Sequence, residues 1–174
     1  MKNYNITIAV FFLLIFIGET SNGQSIYKRE VDKEDSSISI FTTIDTMGIK
    51  ENDCKIFGLI VNMDSINFYC IAYQLKAPQI MYLGKTYKMK LFFEEGNMLE
   101  YDNINDEVLF DKGAEIEFRT IVKDKELNKM KSSTLCMMRL ERPGYYKDIA
   151  IEKDYKHTLS NLAQLMLATD AYKD

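Results

Sequence analysis

A chain of 174 residues with a formal net charge of −4, one histidine and three cysteines is of single-domain size and narrow in its chemistry. The acidic balance argues against nucleic acid as a partner, because the densest basic stretch, Lys123 to Lys131, also carries Asp124 and Glu126. A single histidine, His157, leaves no zinc ligand set and no base for a serine or cysteine nucleophile.

The chain opens with Lys2, an apolar run from Ile6 to Ile17 and a small-residue exit at Ser21-Asn22-Gly23, the layout of a secretory signal peptide. A run of about twelve apolar residues is too short to span a hydrocarbon core that needs roughly twenty. Residues 1–23 are therefore set apart from the fold, with cleavage expected ahead of Gln24. No cysteine lies near the cut to carry a lipid. The mature protein is expected to be soluble and exported, periplasmic or extracellular, with no membrane span. Residues 24–36 are polar and charged and read as a flexible terminus. Order is expected from near Ser37, with residues 37–174 forming one α+β domain.

Ile38, Ile40 and Ile44 alternate with polar residues at the period of a half-buried strand. The next run, Ile56 to Val61, is apolar on both faces and reads as a central strand. A polar break at Asn62-Met63-Asp64-Ser65 and the β-favouring run Phe68 to Tyr73 predict a hairpin in which Cys70 faces Leu59. Tyr87, Met89, Leu91 and Phe93 then alternate with Thr86, Lys88 and Lys90, and the strand ends in turn residues at Glu95-Gly96-Asn97. A three-residue loop pairing Phe93 with Leu99 and Leu91 with Tyr101 keeps apolar groups together. The same logic at Asp111-Lys112-Gly113 pairs Phe110 with Ala114 and Val108 with Ile116, so the two turns predict an antiparallel meander.

Glu115 to Val122 reads as a strand with Ile116, Phe118 and Val122 facing one way. Lys123 to Lys131 reads as a short crossover helix, and Thr134 to Leu140 as a strand broken by Pro143-Gly144. A last strand runs from Tyr145 to Ile151. Asp154 to Ala171 then places Tyr155, Leu159, Leu162 and Met166 on one helical stripe, with Asp154 as N-cap. His157 lies about 160° from Leu159 at 3.6 residues per turn, away from the core.

The fold is expected to be α+β, a mainly antiparallel sheet of about seven or eight strands with the crossover helix and a C-terminal amphipathic helix packed on one face. An all-β sandwich with an appended helix is the alternative. In the expected hairpin Cys54 sits roughly 16 Å along the strand from the residue that faces Cys70, beyond the ~7 Å Cα separation that a disulfide tolerates. Those two are not bonded to each other. Whether Cys136 pairs with either stays open, and the favoured reading is that all three are small apolar core residues.

No Gly-x-Ser-x-Gly elbow, Walker loop or Gly-x-Gly-x-x-Gly run is present, and no cofactor is expected. Ser132, Ser133 and Thr134 read as turn and capping hydroxyls. Paired carboxylates can hydrolyse glycosidic bonds without metal or histidine, and Glu94, Glu95, Glu100, Asp102, Asp106, Glu107, Glu115 and Glu117 supply candidates. Asp102, Asp106, Asn103 and Asn105 offer oxygen ligands for calcium but lack its loop pattern. Tyrosines on strands offer the other route to a ligand, since amphipathic rings on an exposed sheet are good anchors. The candidate binding residues are Tyr69, Tyr73, Tyr87 and Tyr101, with Tyr82 beside them; the competing reading is that they complete the core. The leading expectation is a non-enzymatic exported binding module for a protein or envelope component, inhibitor-like or immunity-like. A carboxylate-dependent glycan hydrolase and a structural envelope protein are the alternatives.

Overall fold

The computed structural model describes residues 24–32, 36–47, 54–63, 66–77, 79 and 81–169. The expected signal segment, residues 1–23, and the Asp64-Ser65 turn tip lie outside them. Twelve strands are described: β1 (Ile26–Val31), β2 (Ile38–Thr42), β3 (Asp45–Met47), β4 (Cys54–Met63), β5 (Ile66–Lys76), β6 (Met81–Leu83), β7 (Lys88–Phe93), β8 (Met98–Asp102), β9 (Val108–Phe110), β10 (Glu115–Val122), β11 (Leu135–Arg142) and β12 (Tyr145–Ala150). Helix α1 (Asp124–Lys131) lies between β10 and β11, and α2 (Thr158–Ala168) follows a 3₁₀ turn at Lys153–Tyr155.

The first sheet runs β1-β2-β4-β5-β10, with β3 also paired to β4. The β4–β5 hairpin has the expected register, Leu59 opposite Cys70, and closes with Met63 opposite Ile66. β10 extends it with Phe118 opposite Tyr73. The expectation of seven or eight strands is corrected upward for three reasons. Residues 26–31 form β1 rather than a loose terminus; all six are exposed, so no hydrophobic period marks them, and the ladder to β2 with the Thr43 N–H bond to the Ser25 carbonyl (2.7 Å) holds them. The Ile38–Asp45 run breaks at Thr43-Ile44 into β2 and β3, leaving Ile44 57% exposed. β6 and β9 pair as a ribbon of three residues each, too short to show a pattern.

The second sheet runs β12-β11-β7-β8, antiparallel throughout. The β7–β8 turn has the expected three residues, Glu94 to Gly96, with Gly96 at φ +79° and the Phe93 N–H bonded to the Asn97 carbonyl. Leu91 therefore faces Leu99 and Met89 faces Tyr101. The expected register is off by two residues, an even slip that leaves every side chain on its expected face. The second expected hairpin is not formed. Gly113 turns at φ +83°, but its N–H bonds the Ala77 carbonyl and the chain passes to β5, where β10 gains eight paired residues instead of the three that β9 offers. The far edge of β10 is closed by a loop: the Ile104 N–H bonds the Arg119 carbonyl (2.9 Å) and the Asn105 amide bonds the Glu117 carbonyl (2.7 Å).

The single sheet expected is corrected to separate sheets, and helix α1, expected as a crossover, connects the first sheet to the second. Glu126 accepts the Lys123 backbone N–H (2.9 Å), acids occupy its first turn and lysines its last, and Leu127 and Met130 are buried. Helix α2 is shorter than the expected Asp154–Ala171: Asp154 falls inside the 3₁₀ turn instead of capping the helix, which starts at Thr158. Its stripe of Leu159, Leu162 and Met166 is buried, and His157 is exposed. The stripe lands on β4 at Gly58, where a Cβ would come within 2.7 Å of Met166 Sδ and 3.0 Å of Leu162 Cδ1. The inner faces of both sheets join both helices in one core, among them Ile56, Tyr73, Phe118, Leu91, Leu127 and Leu162.

Candidate binding face

All four tyrosines expected as anchors lie in the core, Tyr73 and Tyr87 fully and Tyr69 and Tyr101 almost so. The exposure expected of them is corrected: alternation along β5 and β8 turns Tyr69, Tyr73 and Tyr101 inward, Tyr87 is buried just ahead of β7, and the Tyr73 ring meets Phe118 edge to face at 6.3 Å. Burial drives the Tyr73 and Tyr101 hydroxyls far above the usual phenol range, and neither finds a hydrogen-bond partner among the described residues. The exposed aromatics lie elsewhere, at Tyr27, Phe68, Tyr82 and Tyr146.

What the strands leave open is the outer face of the first sheet. Cross-strand pairing builds it in rows. One row runs Lys28, Phe41, Leu59, Cys70 and Ile121, another Glu30, Ser39, Val61 and Phe68, and a third Phe57, Ala72 and Arg119. Met63 and Ile66 complete it at the hairpin end. Ile66, Phe68 and Ile121 are 58%, 46% and 55% exposed, so no second layer among the described residues closes this face. The run Ile56 to Val61 is apolar on both sides because one side packs under α2 and the other carries this surface. Around it charges occur as close pairs: Lys28 with Glu30, Lys55 with Glu115 at 3.0 Å, and Arg119 with Glu117.

The outer face of the second sheet differs in kind. Lys88 meets Glu100 (2.6 Å) and Asp102 (3.6 Å), Lys90 meets Glu141 and Glu100, and Arg139 holds Asp148 through two hydrogen bonds while lying 4.6 Å from the Tyr146 ring centre. This is a solvated charge ladder whose groups satisfy one another. The hydrogen bond from Lys88 holds the Glu100 carboxyl below the usual carboxylate range, and Arg139 does the same for Asp148. Both shifts run opposite to what a general acid needs.

Most of the candidate acids lie apart from one another. Glu94 pairs with Lys156, Glu95 accepts the Thr134 N–H, Asp106 pairs with Lys85 at 3.3 Å, and Glu115 and Glu117 belong to the first sheet's rim. Glu107 packs beside Gly84, whose Cβ would meet its backbone at 2.9 Å. Glu100, Asp102 and Glu126 do line an open groove of about 250 Å³ with Lys123 and Tyr101. Asn103 accepts the Arg119 N–H and donates to the Gly84 carbonyl, Asn105 donates to the Glu117 carbonyl, and among the described residues no three His, Cys, Asp or Glu groups cluster as a metal site would require. Ser132 donates to the Asn128 carbonyl (3.1 Å), a helix-ending role. The three cysteines are free thiols: Cys54 is buried, Cys70 sits half-buried within the apolar rows, and Cys136 donates to the Phe92 carbonyl. Burial raises both the Cys54 and the Cys70 thiol above the usual range.

Fold and face together define a class, an α+β protein of two antiparallel sheets around one core in which one sheet presents a second apolar face outward. No helix among the described residues is long and apolar enough to cross a membrane. A scan against protein-family models, a search of the curated proteins and a search of the solved structures each found no match.

Proposed function

We propose that this chain is an exported, non-enzymatic binding protein that recognises a protein surface through the outer face of its first sheet. The observation that carries the reading is the contiguous row Phe41-Leu59-Cys70-Ile121 with Phe68 and Ile66 beside it, apolar and partly exposed where a sheet face turned to water would alternate to polar residues. Export is supported by the Lys2, Ile6–Ile17 and Ser21-Asn22-Gly23 layout, and an exported protein would meet an envelope or secreted component as its partner. The charge ladder of the second sheet offers no comparable surface, since desolvating those ion pairs would cost more than their contact returns.

Two measurements test this. Mass spectrometry of the protein recovered from its source should find a new N-terminus at Gln24; an intact Met1 terminus on the exported fraction would remove the export half of the reading. Affinity capture with the wild type and with a Phe68→Glu, Ile121→Glu variant should retain a partner in stoichiometric amount only with the wild type. Equal retention by both would show that this face is not the binding surface.

A further inference from the structure

Resting on the reading of this face as a binding surface, we infer that its occupant is a second copy of this chain, packed sheet to sheet. The size of the face fits. Five strands at about 4.8 Å and a ten-residue β4 at ~3.3 Å per residue span up to roughly 24 by 33 Å, an area of at most about 800 Å². The neighbouring strands are shorter, β2 five residues and β10 eight, so two copies meeting over most of this face reach the lower end of the range for specific interfaces, about 600 Å² from each partner.

Charge points the same way. A surface built for an oppositely charged partner carries an excess of one sign for steering. This rim carries close pairs of both, Lys28 with Glu30, Lys55 with Glu115 and Arg119 with Glu117, around a centre with no charge. Such a rim meets its own copy without net repulsion, as a two-fold contact requires of one patch facing itself. Shape agrees as well. Two identical sheets share the same right-handed twist and stack at about −30° with their side chains interdigitated, and the alternation of large and small residues here, Leu59 and Phe57 beside Cys70 and Ala72, provides ridges and hollows for that. The edges are closed to the competing mode, edge-to-edge pairing, by the Asn103–Asn105 loop on β10 and by Lys28, Arg29 and Glu30 on β1.

The test is the mass of the purified exported protein by sedimentation velocity across a concentration series, for the wild type, for Ile121→Glu with Phe68→Glu, and for Tyr146→Glu on the second sheet as a control. The expected result is twice the chain mass for the wild type and the control, and a single chain mass for the face variant with unchanged circular dichroism. A variant-free measurement runs beside it: alkylation of Cys70 in the wild type should slow as concentration rises, while Cys136 keeps its rate. A wild type of single-chain mass at every concentration, with Cys70 alkylated at a constant rate, overturns the inference. If that monomer still captures another protein and loses it in the face variant, the binding reading stands without the dimer; if it captures the same species in both forms, both fall.

Discussion

Tyr73 shows what burial does when a polar atom is carried inward for the sake of its ring. The hydroxyl lies in the core without a partner among the described residues, and burial holds it neutral far above the usual phenol range. Removing an unsatisfied buried group restores its desolvation cost, so Tyr73→Phe should leave stability unchanged or raise it by up to about 1 kcal/mol, read by urea denaturation. A loss of more than that would mean the hydroxyl is bonded in solution. Gly58 marks the opposite constraint, absence of a side chain where α2 touches β4. The Cβ of alanine already presses on Met166 Sδ and Leu162 Cδ1, and the branched side chain of Gly58→Val must push both further. Its expected cost is about 1–3 kcal/mol by the same denaturation, and a Val variant as stable as wild type would refute the tight seating of the helix.

At the scale of elements, the ladder on the second sheet makes the pH response. Asp148 is held below its usual range by the Arg139 hydrogen bonds, so its stabilisation is complete above the unfolded carboxyl value near pH ~3.9 and fades as pH falls through the lower folded value. Asp148→Asn should cost less than about 1 kcal/mol at neutral pH, since the pair is exposed, and the gap to wild type should close below roughly pH 4. A gap that persists in acid would assign the cost to packing. Elements with a strong period were legible from residues alone: β4, β5, β7, β10, β11, β12 and both helices fall close to where alternation or helical spacing put them. β1 was not, because an edge strand held only by its ladder has no apolar face to reveal it. The register of β7 against β8 and the departure of β9 from β10 were also hidden, since a turn residue such as Gly96 or Gly113 shows where the chain bends and leaves open which strand it then joins.

Across the whole molecule, the surface proposed for binding was visible in the sequence under another description. Ile56 to Val61 is apolar on both faces and reads as a central strand, with the β-favouring run Phe68 to Tyr73 beside it. The structure supplies one layer, with α2 at Gly58, and leaves Phe57, Leu59, Val61, Phe68 and Cys70 on the other side. The tyrosines misled for the converse reason: an amphipathic ring reads as a surface anchor, but Tyr69, Tyr73 and Tyr101 sit at the inward positions of their strands, where alternation decides, and Tyr87 is buried just ahead of β7. A two-faced apolar strand pair with one covering layer is the feature from which the functional account follows.

Covalent footprinting of side chains tests that account most directly, comparing the protein in its own compartment with the same protein isolated at high dilution. Labelling of Phe68, Ile66 and Ile121 should fall in the native setting while Tyr146 and Tyr82 label equally in both, because only the first sheet's outer face is then covered. Equal labelling of Phe68 and Ile121 in the two settings would mean that nothing occupies this face, and would contradict its assignment as a binding surface.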